Sequence, residues 1–220
     1  MPESPSGYPI LLNLQDKPVA VVGGGRVAAR KVEHLLKAGA RVLLISPEIS
    51  QAMRDRFTEG AVNWIQSSYQ RDIFNEYMPI LVIAATDDAR VNQTVAQDAH
   101  RIRALCNVAN GSNEDSDFSN MARIDQPPLT VALSTSGKSP ALLRLLKAKL
   151  AAEIGEEYGI LADWLGSLRR AAHRSNGSQA DRQALYENVL DSEVLSLLRA
   201  GKSDQARLLF DRIIQRDAAK

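Results

Sequence analysis

One strand of this chain runs directly into a glycine loop that opens a helix, and no other feature limits the fold as strongly. Val19-Ala20-Val21-Val22 is an unbroken apolar run, as expected of a strand buried on both faces. Gly23-Gly24-Gly25-Arg26-Val27-Ala28 follows, and Val27, Val32, Leu35 and Leu36 then recur at helical spacing before Gly39, a helix stop. In Gly23-x-Gly25-x-x-Ala28 the first glycine permits a tight turn and the second lets a pyrophosphate approach the backbone. The small third residue lets the helix pack close to the sheet. The helix start also offers free N–H groups and partial positive charge to phosphate. The loop therefore points to a bound dinucleotide, with Gly23, Gly24, Gly25, Arg26 and Val27 as its cradle.

Strand and helix keep alternating. Arg41–Ile45, Val62–Ile65, Leu81–Ala85 and Leu105–Val108 read as strands, and Arg26–Ala38, Ile49–Glu59 and Val91–Arg101 as helices. That order implies an α/β fold, a parallel sheet with right-handed crossovers. The residue that grips an adenosine ribose belongs about 20 residues past the loop. Ser46-Pro47-Glu48 stands there, and either Ser46 or Glu48 can bond a ribose hydroxyl, which favours NAD over NADP.

The alternation ends at Asn110, where a polar stretch through Asp117 reads as a loop. Leu129–Leu133 reads as a strand. Ser134-Thr135-Ser136-Gly137-Lys138 is a second small-residue loop, after which Ser139 caps a helix with Pro140 at its first position. That helix is expected over Pro140–Glu153. Two or three more follow, broken at Asn176-Gly177 and Gly201, with Ser178 and Ser203 as caps. The helical tail suggests a second substructure used in dimerisation.

Composition excludes several classes. Lys plus Arg is 27 against 26 for Asp plus Glu, so overall charge does not hold nucleic acid. Cys106 is the only cysteine, which rules out a disulfide within the chain and fits a reducing, cytoplasmic setting. Its surroundings read as buried strand. No apolar run reaches the roughly 18 residues of a membrane span, and the N-terminus lacks a secretory pattern. His34, His100 and His173 show no metal-ligand spacing, so no metal site is expected.

Four ordered motifs give the chain a family resemblance. They are Val21-Val22-Gly23-Gly24-Gly25-Arg26-Val27-Ala28-Ala29-Arg30-Lys31, Ile83-Ala84-Ala85-Thr86-Asp87-Asp88 with Val91-Asn92, Cys106-Asn107-Val108, and Leu129 through Ala141. Together they resemble the siroheme synthase N-terminal family, the precorrin-2 dehydrogenases. The resemblance implies a Rossmann-like NAD-binding domain over residues 1–112, a dimerisation and substrate segment over 113–150, and a helical C-terminal domain over 151–220. It implies NAD-dependent oxidation of precorrin-2 to sirohydrochlorin, on the way to siroheme or cobalamin, by a homodimer. It also implies Thr86, Asp87 and Asn107 as cofactor contacts. The chain looks like the stand-alone form, without the methyltransferase domain of fused siroheme synthases.

The chain departs from the family at one position. Many relatives carry an aspartate two residues after the Asn-Val pair, implicated in dehydrogenation and in the iron insertion that some members perform. Here that position is Asn110, and an amide cannot act as a carboxylate base. Three readings stay open. Asn110 holds the substrate while solvent takes the proton; Asp115 or Asp117 supplies the carboxylate; or chelation is lost and hydride transfer kept. The first and third together are favoured. Because the implied substrate is a polycarboxylate, cations and hydroxyls should line its site: Ser134, Thr135, Ser136, Lys138 and Ser139, with Arg123, Arg144 and Lys147 nearby. A bifunctional dehydrogenase and ferrochelatase is one alternative. A nucleotide-sensing domain without catalysis is the other, and it has no evident use for the second anion-ready helix start at Ser139.

Overall fold

A computed structural model describes residues 7–58, 60, 62–109, 116–172 and 179–218. They form two compact units, one of Tyr8–Asn120 and one containing Met121–Lys220.

The first unit is a parallel sheet of β1 (Pro18–Val22), β2 (Arg41–Ile45), β3 (Val62–Ile65), β4 (Leu81–Ala84) and β5 (Leu105–Val108), in the order β3-β2-β1-β4-β5. The helices are α1 (Arg26–Lys37), α2 (Gln51–Thr58), α3 (Ile73–Tyr77) and α4 (Ala89–Arg101). Successive strand residues feed two separate cores. Val19, Val21, Val42, Leu44 and Ile83 pack with Ala28 and Val32 of α1 and Met53 of α2. Ala20, Val22, Leu43, Ile45 and Val82 pack with Phe74 of α3 and Val95 and Ala99 of α4. Burial on both faces is the reason these strands read as continuous apolar runs. The chain order reverses at β1, so a crevice opens at the carboxyl end of that strand, the usual ligand position in such sheets.

β5 lies at the sheet edge, and its polar groups are covered from within the chain. The N–H of Asp117 donates to the Cys106 carbonyl at 2.8 Å, and the N–H of Cys106 returns to the Asp117 carboxylate at 2.8 Å. The N–H of Val108 donates to the Ser116 hydroxyl at 2.9 Å. These bonds occupy groups that would otherwise template pairing with another chain. Cys106 is buried.

Several elements differ from expectation. α4 begins at Ala89 rather than Val91, because the Asp88 carboxylate accepts the N–H groups of Arg90 and Val91 and starts the helix earlier. α2 begins two residues later than expected, and Glu59 lies outside the described residues. The five-residue α3 carries too short a pattern to show a helical period.

The second unit opens with an antiparallel hairpin of β6 (Ala122–Gln126) and β7 (Leu129–Leu133). The sequence concealed β6, because Ala122-Arg123-Ile124-Asp125-Gln126 carries charge at alternate positions and buries only Ile124. Then come α5 (Pro140–Glu153), α6 (Glu156–Ala172), α7 (Gln179–Leu190), α8 (Val194–Arg199) and α9 (Ser203–Ala218). Four described helices thus follow α5, where two or three were expected. The extra break, at residues 191–193, contains neither glycine nor proline. Ser203 is the first residue of α9 rather than its cap; Asn176, Gly177, Ser178 and His173 lie outside the described residues. Leu161, Val189, Val194, Leu198 and Phe210 form the helical core, whereas α5 contributes no buried residue. Among the described residues no helix is long and apolar enough to cross a membrane.

Candidate functional site

The glycine loop occupies the crevice at the end of β1. Its three glycines have different causes. Gly23 has φ +121°, and a Cβ there would overlap the carbonyl oxygen of Ala85. A Cβ on Gly24 would overlap the carbonyl oxygen of Glu48. Both glycines are therefore demanded by the protein's own packing. Gly25 is not: it has φ −79° and ψ −175°, open to any residue, and a Cβ there would meet none of the described residues within 4 Å. Gly25 is also the N-cap of α1, without a side-chain cap, and the first turn of α1 holds no acid. Free N–H donors, the positive helix end and open space over the backbone fit a phosphate group.

A cleft of about 450 Å³ adjoins the loop, lined among others by Gly23, Ser46, Pro47, Tyr69, Thr86 and Arg90. Gly23, Ser46, Pro47 and Thr86 among the expected cofactor residues line it. Ser46 is buried and donates its hydroxyl hydrogen to the Glu48 carbonyl at 2.6 Å. That bond holds the carbonyl that excludes a side chain at Gly24, so Ser46 shapes the turn. Thr86 is clasped by Asn92: its N–H reaches the Asn92 amide oxygen at 3.0 Å, and the Asn92 Nδ2 donates to the Thr86 carbonyl at 2.9 Å. The Asn92 side chain is 3% exposed and fixes the β4–α4 turn from inside.

The sequence reading missed both Tyr69 and Arg90: no motif surrounds Tyr69, and Arg90 stands in the gap of one, between Asp88 and Val91. Tyr69 donates to Asp98 Oδ2 at 3.0 Å, and Arg71 and Arg101 pair with the same buried carboxylate. Burial pushes the Tyr69 hydroxyl far above the ordinary tyrosine range, and the charge and hydrogen bond of Asp98 push it further. Tyr69 is thus a neutral, fixed wall of the cleft.

The remaining expected residues are spread over both units. Arg26 and Val27 are the first helical residues of α1. Glu48 and Asp87 are exposed. Asn107 is buried, and its amide is spent on protein partners: Nδ2 donates to the Phe118 carbonyl at 2.9 Å, and Oδ1 accepts from Lys31 at 3.2 Å. Asp117 is held by Cys106 and by His100 at 3.0 Å, so its carboxylate secures the sheet edge. Asn110 and Asp115 lie outside the described residues.

In the second unit the Ser134–Ser139 loop is folded on itself. The Ser136 N–H donates to Ser134 Oγ at 3.0 Å, the Ser139 N–H to Thr135 Oγ1 at 3.2 Å, and the Leu142 N–H to Ser139 Oγ at 3.2 Å. Ser139 caps α5 with Pro140 at the first turn, as expected. Lys138 is exposed there. Arg123 is paired with Asp125 at 2.9 Å through its Nε; Arg144 and Lys147 are exposed on α5.

A family model described as "Putative NAD(P)-binding" matches residues 10–121, and one described as "Sirohaem synthase dimerisation region" matches residues 157–214. The siroheme synthase of Nitrosospira multiformis is 36% identical over 214 residues, 95% of this chain and 44% of that protein. Siroheme synthase 3 of Aeromonas hydrophila subsp. hydrophila is 36% identical over 205 residues, 92% of this chain and 43% of that protein. The chain thus spans less than half the length of these relatives. The solved structure of SirC, precorrin-2 dehydrogenase, matches with a TM-score of 0.74 at 23% identity, covering 94% of this chain and 100% of that one. At that identity the likeness shows a shared fold.

Proposed function

The chain belongs to the siroheme synthase N-terminal family, and on that premise we propose that it oxidises precorrin-2 to sirohydrochlorin with NAD⁺ as hydride acceptor. The observation that carries this reading is the uncapped start of α1 at Gly25, a glycine that none of the described residues requires. NAD⁺, when bound, supplies the carbon that accepts the hydride. The chain's own contribution is to hold and orient. Gly23 to Val27 take the pyrophosphate, the cleft beside Ser46, Pro47 and Thr86 takes the adenosine, and Glu48 and Asp87 flank it. Ser134, Thr135, Ser136, Lys138 and Ser139 take acidic groups of the tetrapyrrole. Asn110 cannot accept a proton as a carboxylate does, and Asp117 is engaged at the sheet edge. In this reading the proton lost with the hydride leaves to solvent rather than to Asp115, the other candidate carboxylate of that loop.

The same substitution supports loss of chelation. Ferrous ion added to sirohydrochlorin with the protein is expected to enter the ring at the uncatalysed rate; clear acceleration would overturn this part of the reading. The turnover test is anaerobic mixing of the protein with precorrin-2 and NAD⁺, followed by sirohydrochlorin absorbance. A cytoplasmic setting suits its single buried thiol.

The chain acts as a homodimer in this reading, supported by the matched dimerisation region at residues 157–214, with residues 113–150 also contributing to dimerisation and substrate binding and 151–220 forming the helical domain. Support comes from α5, where Leu142, Leu145 and Leu146 are 46%, 52% and 38% exposed and share a helix face. A leucine stripe of this kind is ordinarily covered. Light scattering is expected to give two chains per particle for the wild type and one for the Leu142→Asp, Leu145→Asp double variant. A dimeric double variant would remove α5 from the interface.

A further inference from the structure

Lys31 is a half-buried cation that none of the roles above employs. It stands on α1, and its Nζ donates to Asn107 Oδ1 across 76 positions of sequence. The orientation of that amide is fixed, because Asn107 Nδ2 donates to the Phe118 carbonyl at 2.9 Å. Its oxygen must then face Lys31, with Asn120 Nδ2 at 3.4 Å. Strand register places the pair. Leu44, Val21, Ile83 and Asn107 form one row across the sheet, a single residue before the strand ends from which the glycine loop springs. Asn107 is the polar member of that row. The Lys31 ammonium is therefore set at the carboxyl edge of the sheet, on the α1 face.

Nothing among the described residues compensates the charge of this ammonium. Among the described residues no carboxylate forms an ion pair with it, and the charge that acts on it is that of Arg30, of like sign. Burial holds its pKa below the ordinary lysine value, and Arg30 lowers it further. Buried cations are ordinarily paired. A mere tether between α1 and β5 needs a donor for Asn107 but no charge. Lys31 also lies six residues beyond Gly25, about 9 Å along the helix, so the phosphate-binding first turn does not use it.

We propose that Lys31 is a substrate-binding cation that receives a carboxylate of the tetrapyrrole, with Asn107 fixing where the ammonium stands. This rests on the reading of precorrin-2 oxidation above. Lys31→Gln keeps a donor for Asn107 and removes the charge; Lys31→Arg keeps the charge. With saturating NAD⁺, Lys31→Gln is expected to raise the KM for precorrin-2 about tenfold or more, the loss of one charge-assisted hydrogen bond. Its kcat is expected to stay within about threefold of wild type, and Lys31→Arg to restore most of the KM. Calorimetry is expected to give wild-type NAD⁺ affinity for both variants, which assigns the anion to substrate rather than cofactor. Lys31→Met, which keeps the aliphatic stem, carries the same expectation where Lys31→Gln folds poorly. An unchanged KM in Lys31→Gln would overturn the inference and leave the reaction standing. So would weakened NAD⁺ binding, or failure of both uncharged variants to fold while Lys31→Arg folds. Absence of turnover by the wild type would remove the reaction and the inference together.

Discussion

Replacing Gly25 by aspartate is expected to weaken dinucleotide binding roughly 100-fold or more while leaving the fold as stable as before. The two effects have separate origins. Gly25 is the N-cap of α1 in extended geometry, with open space where a Cβ would stand. Aspartate is among the favoured N-cap residues, and relative to glycine it adds only about a few tenths of a kcal/mol. Its carboxylate accepts the N–H groups of the first turn and so blocks them, and it sets a negative charge against the pyrophosphate. Charge-assisted hydrogen bonds contribute about 1.5–3 kcal/mol each, and loss of two of them weakens NAD⁺ roughly 100-fold or more. Calorimetric titration with NAD⁺ and a thermal melt of the same sample check both halves. Retained affinity would show that the helix start is not the phosphate site.

Gly23→Ala should do the opposite, unfolding the nucleotide-binding unit rather than merely emptying it. The position combines φ +121° with a Cβ that would overlap the Ala85 carbonyl oxygen. Alanine in such a conformation costs about 1–3 kcal/mol before any contact is counted. The overlapping carbonyl is not free to retreat, because the Ala85 N–H is bonded to the Val22 carbonyl at 2.8 Å and the Gly23 N–H to Ile45 at 2.9 Å. Relief requires separating β1 from β4 at the centre of the sheet. A loss of about 3 kcal/mol or more is expected, read as a lower urea midpoint in tryptophan fluorescence. Trp64 is a suitable reporter, since its indole N–H donates to the Ser46 carbonyl at 2.9 Å beside the loop. An unchanged midpoint would mean that the turn can open at little cost.

These two glycines also show what a sequence discloses and what it withholds. The pattern Gly23-x-Gly25 was legible, but it does not say that Gly23 answers to Ala85 and Gly25 to none of the described residues. The sheet was legible because strands buried on both faces carry apolar residues without interruption, from Val19 to Val22 and from Leu81 to Ala84. β6 was not, because a hairpin strand with one buried residue has no such run. The cleft wall was invisible for a different reason. Tyr69 is positioned by Asp98, 29 residues away, and Lys31 by Asn107 across 76; no local period records such pairings. Asp117 read as a candidate carboxylate because Asn110 stands where many relatives carry an aspartate. Its place at the edge of β5 appears only once the strand order is known.

The central claim is that this chain couples a dinucleotide on the α1 start to oxidation of a tetrapyrrole. The most direct measurement follows NADH and sirohydrochlorin absorbance together after the protein is mixed anaerobically with precorrin-2 and NAD⁺. Wild type is expected to form the two products in equal amounts, Gly25→Asp neither above the uncatalysed rate. Binding of NAD⁺ without formation of either product would contradict the dehydrogenase reading, and equal rates for wild type and Gly25→Asp would contradict the site.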